Sequence, residues 1–162
     1  MELKRLLMQQ ARECGICGDG YEEIRNCKDV DELLQYYVKT IDWSLENGFP
    51  TFNDIRTLFN RDALARHGIF VDRTFDGDTL FIQQAYVFHN CKGHVNVAID
   101  YENANIPMLY FANGCEMSVG CEQANVPPIK VPLYVFGDCH IDIIHNDNAK
   151  FTIFRKEVIY DK

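Results

Sequence analysis

Two imidazoles and a thiol fall within six residues at His89-Asn90-Cys91-Lys92-Gly93-His94, side chains of the kind that hold a metal ion or activate a thiolate. Cys91 recurs at 24-residue steps as Cys115 and Cys139, and neither of those carries the same histidine neighbours. That points to a structural thiol and leaves His89, Cys91 and His94 as a weak candidate cluster. Cys14-Gly15-Ile16-Cys17 is a CxxC pair. A zinc site requires a second ligand pair, and a thioredoxin-type site requires the pair after a strand and at a helix start. This pair follows a helical stretch and reads as a turn with one buried thiol, with Cys27 nearby. Asp72, Asp76 and Asp78 lack the spacing and closing glutamate of an EF-hand loop. Asp100 and Glu102 offer a carboxylate pair for glycan hydrolysis, but the only tryptophan is Trp43, so sugar stacking would rest on Tyr101 or Tyr110. No catalytic residue, metal site or cofactor is expected.

The elements that must carry these residues fall in two parts. Leu3, Leu6, Leu7, Ala11 and Cys14 make the stripe of a first helix stopping at Gly15, and a second runs from about Tyr21 to Cys27. Asp29 is an N-cap with Glu32 in capping-box position, heading a helix with Val30, Leu33, Leu34, Tyr37, Val38, Ile41 and Leu45 on one face and ending at Gly48 and Pro50. Thr51 caps a further helix, and a last turn covers Asp62 to His67. Residues 1–68 are therefore expected as a small helical bundle and 69–84 as connecting strands or a first coil, with Gly77 turning between two apolar runs.

From Tyr86 onward the chain aligns with itself at a shift of 24: Tyr86, Tyr110 and Tyr134 superpose, as do Cys91, Cys115 and Cys139, and Val95, Val119 and Ile143. Strand-like runs follow corners such as Asn90-Cys91 and Asn148-Ala149. The expected fold class is α+β, with residues 85–162 forming a short three-coil β-solenoid, or β-helix, of about 24-residue repeats, in which equivalent side chains stack at about 4.8 Å. An antiparallel β-sandwich is the alternative, since short strands spaced about 8–12 residues apart fit it too. The stack ends need cover, by the bundle, by Arg155-Lys156-Glu157 or by a second copy. Pro127, Pro128, Lys130 and Pro132 interrupt the repeat and should loop out as an interaction site.

The net charge is −8, about −3 over residues 1–67 and −5 over the rest, so a nucleic-acid or anionic-membrane partner is not expected. With no apolar run fit for a signal peptide or a membrane span, a cytoplasmic location is expected, and the seven cysteines, an odd number, are expected reduced. Tyr36-Tyr37-Val38 through Ile41-Asp42-Trp43 to Asn47-Gly48-Phe49-Pro50, then Gly68-Ile69-Phe70-Val71-Asp72 and strands with Asn-Ala corners, together resemble small uncharacterised helical-plus-β-solenoid proteins of phages and prophages of gut bacteria. The resemblance implies a phage-associated structural or accessory protein, with the virion as a second possible location. The expected function is non-enzymatic: a rigid scaffold with a helical docking module, bound to a protein partner or to itself. A glycan-binding or glycan-active protein is the alternative.

Overall fold

Local capping decides where the N-terminal helices begin. The computed structural model describes residues 2–80, 85–98, 106–121, 129–144 and 149–159, and two units emerge: Met1–His67 with Val158–Lys162, and Gly68–Glu157. In the first, α1 (Glu2–Glu13) and α2 (Gly18–Asn26) are joined through Gly15, whose φ of +72° suits glycine. Asp29 accepts the Glu32 N–H at 2.9 Å and Glu32 Oε2 accepts the Lys28 N–H at 2.7 Å, the reciprocal pair that starts α3 (Val30–Lys39). The apolar stripe that predicts one helix up to Gly48 is divided at Thr40, which takes a non-helical ψ of 26° and gives its hydroxyl to the Tyr36 carbonyl; α4 (Ile41–Asn47) follows. Thr51 and Asn60 cap α5 (Phe52–Leu58) and α6 (Arg61–Arg66). Leu7, Ala11, Ile24, Leu33, Leu34, Tyr37, Ile41, Leu45, Ile55 and Leu64 are buried, and the Ile159 N–H donates to the Glu46 carbonyl at 2.8 Å.

Among the described residues the second unit holds nine strands: β1 (Ile69–Val71), β2 (Thr74–Leu80), β3 (Ala85–His89), β4 (Lys92–Val97), β5 (Met108–Ala112), β6 (Glu116–Cys121), β7 (Ile129–Phe136), β8 (His140–Ile143) and β9 (Ala149–Lys156). Odd-numbered strands form one sheet in the order β1-β3-β5-β7-β9 and even-numbered strands another, β2-β4-β6-β8; every pairing is parallel. Phe88, Phe111, Leu109, Leu133, Val95, Val119 and Val131 fill the core, with Phe88 stacked on Phe111 at 5.0 Å. Burial of each such side chain is worth about 1.5–3 kcal/mol. Between the sheets the chain turns through left-handed residues: Asp72 (φ +52°), Asn90 (+50°), Asn113 (+56°) and Gly137 (+67°). Their short polar side chains or lack of a Cβ tolerate this region. The Asp72 and Asn90 N–H groups donate to His89 and Ala112 carbonyls, and Asn90 Nδ2 donates to Asp72 Oδ1 at 2.7 Å.

These pairings correct the expected fold class. The protein is α/β, with two parallel-only sheets of five and four strands and six helices among the described residues, in place of an α+β chain ending in a three-coil β-solenoid. A uniform 24-residue unit is not the building block: Ile69 lies opposite Val87, Tyr86 opposite Leu109, Leu109 opposite Leu133 and Ile129 opposite Ala149, spacings of 18, 23, 24 and 20. The antiparallel sandwich is likewise overturned, since no described strand pairs antiparallel. Tyr86 does not superpose on Tyr110. It packs in the core between the sheets, whereas Tyr110 faces away from it and stacks on Tyr134 at 4.9 Å, because a one-residue slip in register reverses the face. Gly77 is not a turn between strands; it sits inside β2, where the register shifts between Asp76 and Asp78.

Candidate functional site

Along β4 and β6 the side chains alternate, Val95, Val97, Met117 and Val119 into the core and His94, Asn96 and Ser118 outward. Parallel register sets Asp76, His94, Ser118 and Asp142 side by side across the four strands, and Asn96 beside Gly120. The result is an outer-face groove of about 450 Å³. In it His94 Nδ1 lies 3.0 Å from Ser118 Oγ and 3.1 Å from the Ser118 carbonyl oxygen, while Nε2 lies 3.0 Å from Asn96 Oδ1. Asn96 Nδ2 donates to the Gly77 carbonyl at 3.4 Å, which turns Oδ1 toward the ring. In the tautomer whose Nε2–H donates to Asn96, the Nδ1 lone pair faces the Ser118 hydroxyl. A Cβ at residue 120 would meet Asn96 Oδ1 at 2.7 Å, so glycine at that position is what leaves room for the amide.

The expected cluster is not brought together. His94 is in the groove; His89, 1% exposed, is in β3 of the other sheet, and Cys91, fully buried, is at the corner between them. His89 Nδ1 accepts from Asn113 Nδ2 at 2.7 Å, and burial holds this imidazole down at about 4, against a smaller upward pull from Asp72. The Cys91 N–H donates to Cys115 Sγ at 3.4 Å and the Cys115 N–H to Cys139 Sγ at 3.3 Å, so these two sulfurs serve as buried corner acceptors, while the Cys91 thiol donates to the Phe70 and His89 carbonyls at 3.5 Å. The Cys139 thiol is pushed up by its hydrogen bond to Cys115 and by burial.

Lys130 and Pro132 do not loop out; they stand in β7 opposite Lys150 and Thr152, while Pro127 and Pro128 lie outside the described residues. Asp100, Tyr101 and Glu102 also lie outside them, and Tyr110 is buried, which removes it as a sugar-stacking platform. In the first unit Cys17 does start a helix, its sulfur accepting the Gly20 N–H at 3.4 Å, but Cys14 is pushed up by burial and by Glu13. Among the described residues no three His, Cys, Asp or Glu side chains are grouped to hold a metal ion, and no helix is long and apolar enough to cross a membrane.

The other feature of the second unit is its last edge. Strands β8 and β9 each end a sheet, and Ile143, Ile144 and Phe154 stay partly exposed there, the last two at 48% and 46%. Along β9, Lys150, Thr152, Phe154 and Lys156 share one face, Phe154 stacks on Tyr134 at 5.4 Å, and Lys156 lies over the Tyr134 and Phe136 rings.

The fold and groove thus define an α/β protein with two parallel-only sheets and a polar outer face. No family model, curated protein or solved structure matches the chain. The local sequence around His94 does not mark Ser118 as its partner, because the two adjoin only through the pairing of β4 with β6. The 24-residue shift that aligned Cys91 with Cys115 also sets His94 on Ser118 and Asn96 on Gly120.

Proposed function

We propose that the protein is a structural or protein-interaction protein, with the two-sheet unit as a rigid platform that takes an extended segment of another protein along β9. The observation that supports this is the edge: Phe154 and Ile144 are left about half exposed beside a strand that ends its sheet. A parallel sheet edge offers main-chain donors and acceptors at fixed spacing, and side chains alternate to give specificity. Lys150, Arg155 and Lys156 make the edge basic in a chain of net charge −8. Two copies of β9 paired antiparallel about their centres would set Lys150 against Arg155, which disfavours self-pairing and favours an acidic partner strand.

The test uses a fluorescent peptide of alternating Val and Glu, and its Val-Lys counterpart, titrated into the full chain at low and high salt. The acidic peptide should bind, more weakly in salt, and lose most of its affinity to Phe154→Asp or Lys150→Glu; equal binding of both peptides, or of neither, would sink the reading. Light scattering that shows a dimer abolished by Phe154→Asp would replace the acidic partner with a second copy. The glycan alternative draws no support from the groove, where Phe75, the one Phe, Tyr or Trp lining it among the described residues, is buried.

A further inference from the structure

The β9 edge leaves the groove on the opposite sheet without a use, and in the groove a hydroxyl, a base and an orienting amide converge. We propose that Ser118 is a nucleophile that accepts an acyl group from a neutral or cationic carboxylic ester, with His94 as its base and Asn96 as a positioning residue. Three observations carry this. The Ser118 hydroxyl and His94 Nδ1 are at hydrogen-bond distance, 3.0 Å, and His94 Nε2 is held by Asn96 at the same distance. This is the nucleophile, base and orienter arrangement that activates a serine, recognised by geometry and not by chain order. The amide that orients the base is itself anchored on Gly77 and given its space by Gly120. The Ser118 carbonyl oxygen, 3.1 Å from Nδ1, is placed to accept a hydrogen bond from Nδ1–H while the imidazole carries the proton.

The step balances without a further reactant. Ser118 Oγ attacks the ester carbonyl carbon and its proton passes to His94 Nδ1; the carbonyl C–O bond to the alcohol breaks, and the leaving oxygen takes that proton. The product is an acyl ester on Ser118 and a free alcohol. Asp76, Glu116 and Asp142 line the groove and repel an anionic acyl group. The parallel ladders on both sides of β6 engage its backbone; with an activated ester the acyl group on Ser118 is an alkyl ester with a far poorer leaving group, so acylation outpaces turnover.

The full chain treated with p-nitrophenyl acetate should release about one equivalent of p-nitrophenolate and gain one acetyl group, mapped to Ser118 by peptide mass. Ser118→Ala should remove that label, and His94→Gln should slow its formation about 100-fold or more, in line with the loss of a general base. Asn96→Ala should slow it about tenfold and alter the pH dependence of the rate, which a purely structural role would leave unchanged. A p-nitrophenyl ester of succinate should react more slowly than the acetate. If Ser118→Ala fails to fold, Ser118→Cys supplies a thiol at the same position that His94→Gln should make less reactive. Label only on Cys17 or on lysines, or a Ser118 label indifferent to His94→Gln, would overturn the proposal.

Discussion

Gly93 lies in β4 opposite Phe75 of β2. Its φ is +101°, and a Cβ built on it would sit 2.0 Å from the Phe75 carbonyl oxygen, the residue directly opposite in register. Real Cβ atoms do not approach closer than 3.0 Å, so Gly93→Ala must open the two strands by about 1 Å, and the obstacle is backbone that no rotamer change can move. Opening by that much stretches two neighbouring N–H···O bonds from about 2.9 Å to near 4 Å, where they no longer count. Leaving those groups unpaired costs about 1–3 kcal/mol each, and the left-handed backbone adds about 1–2 kcal/mol for a residue with a Cβ. The expected loss is about 5 kcal/mol. Gly77→Ala is the matched control: its φ is +76° but nothing lies within 4 Å of the added carbon. It should cost only about 1 kcal/mol, the backbone strain less the entropy removed from the unfolded chain. Urea unfolding followed by circular dichroism would measure both. Equal losses for the two variants would refute the reasoning, because only Gly93 has the steric conflict.

Phe111→Ala should cost about 3–5 kcal/mol, since its ring is fully buried and stacked on Phe88; a loss below 1 kcal/mol in the same unfolding assay would mean the core between the sheets is loose. His89 supplies a pH dependence: its folded value of about 4 lies below the ordinary 6.5, so the unfolded chain takes up the proton first and stability, fully present above 6.5, falls as pH drops toward 4. At about 1.4 kcal/mol per pH unit the loss is about 3 kcal/mol, and His89→Gln, which can still accept from Asn113, should flatten the unfolding free energy between pH 7 and 4 by that amount relative to the parent; parallel profiles would show that His89 is not the group responsible.

Capping was legible in the sequence because it is local: Asp29, Glu32 and Thr51 act on amides three or four residues away. The alignment of Cys91, Cys115 and Cys139 was legible too, because small thiols fit the tight corners where nothing larger does. Register in β3 was not. All five of its residues are buried, so no polar alternation marks which face is which, and a tyrosine at residue 86 looked as suitable as Val87 for the place opposite Tyr110. Fold class is hidden for the same reason: matched spacing over three copies suggests a uniform unit, while the real pairings begin earlier and vary from 18 to 24 residues. The groove residues were hidden because His94 and Ser118 are neighbours only across strands.

Alternation of consecutive strands between two sheets has a kinetic corollary. Each hydrogen-bonded pair closes a loop of only about two dozen residues or fewer, whichever pair is taken. The entropy of closure changes by only about 0.6 kcal/mol for a doubling of loop length, so successive pairings face near-equal hurdles. Assembly can advance like a zip from any pair already formed, and the slow long-distance search that burdens most parallel sheets is avoided.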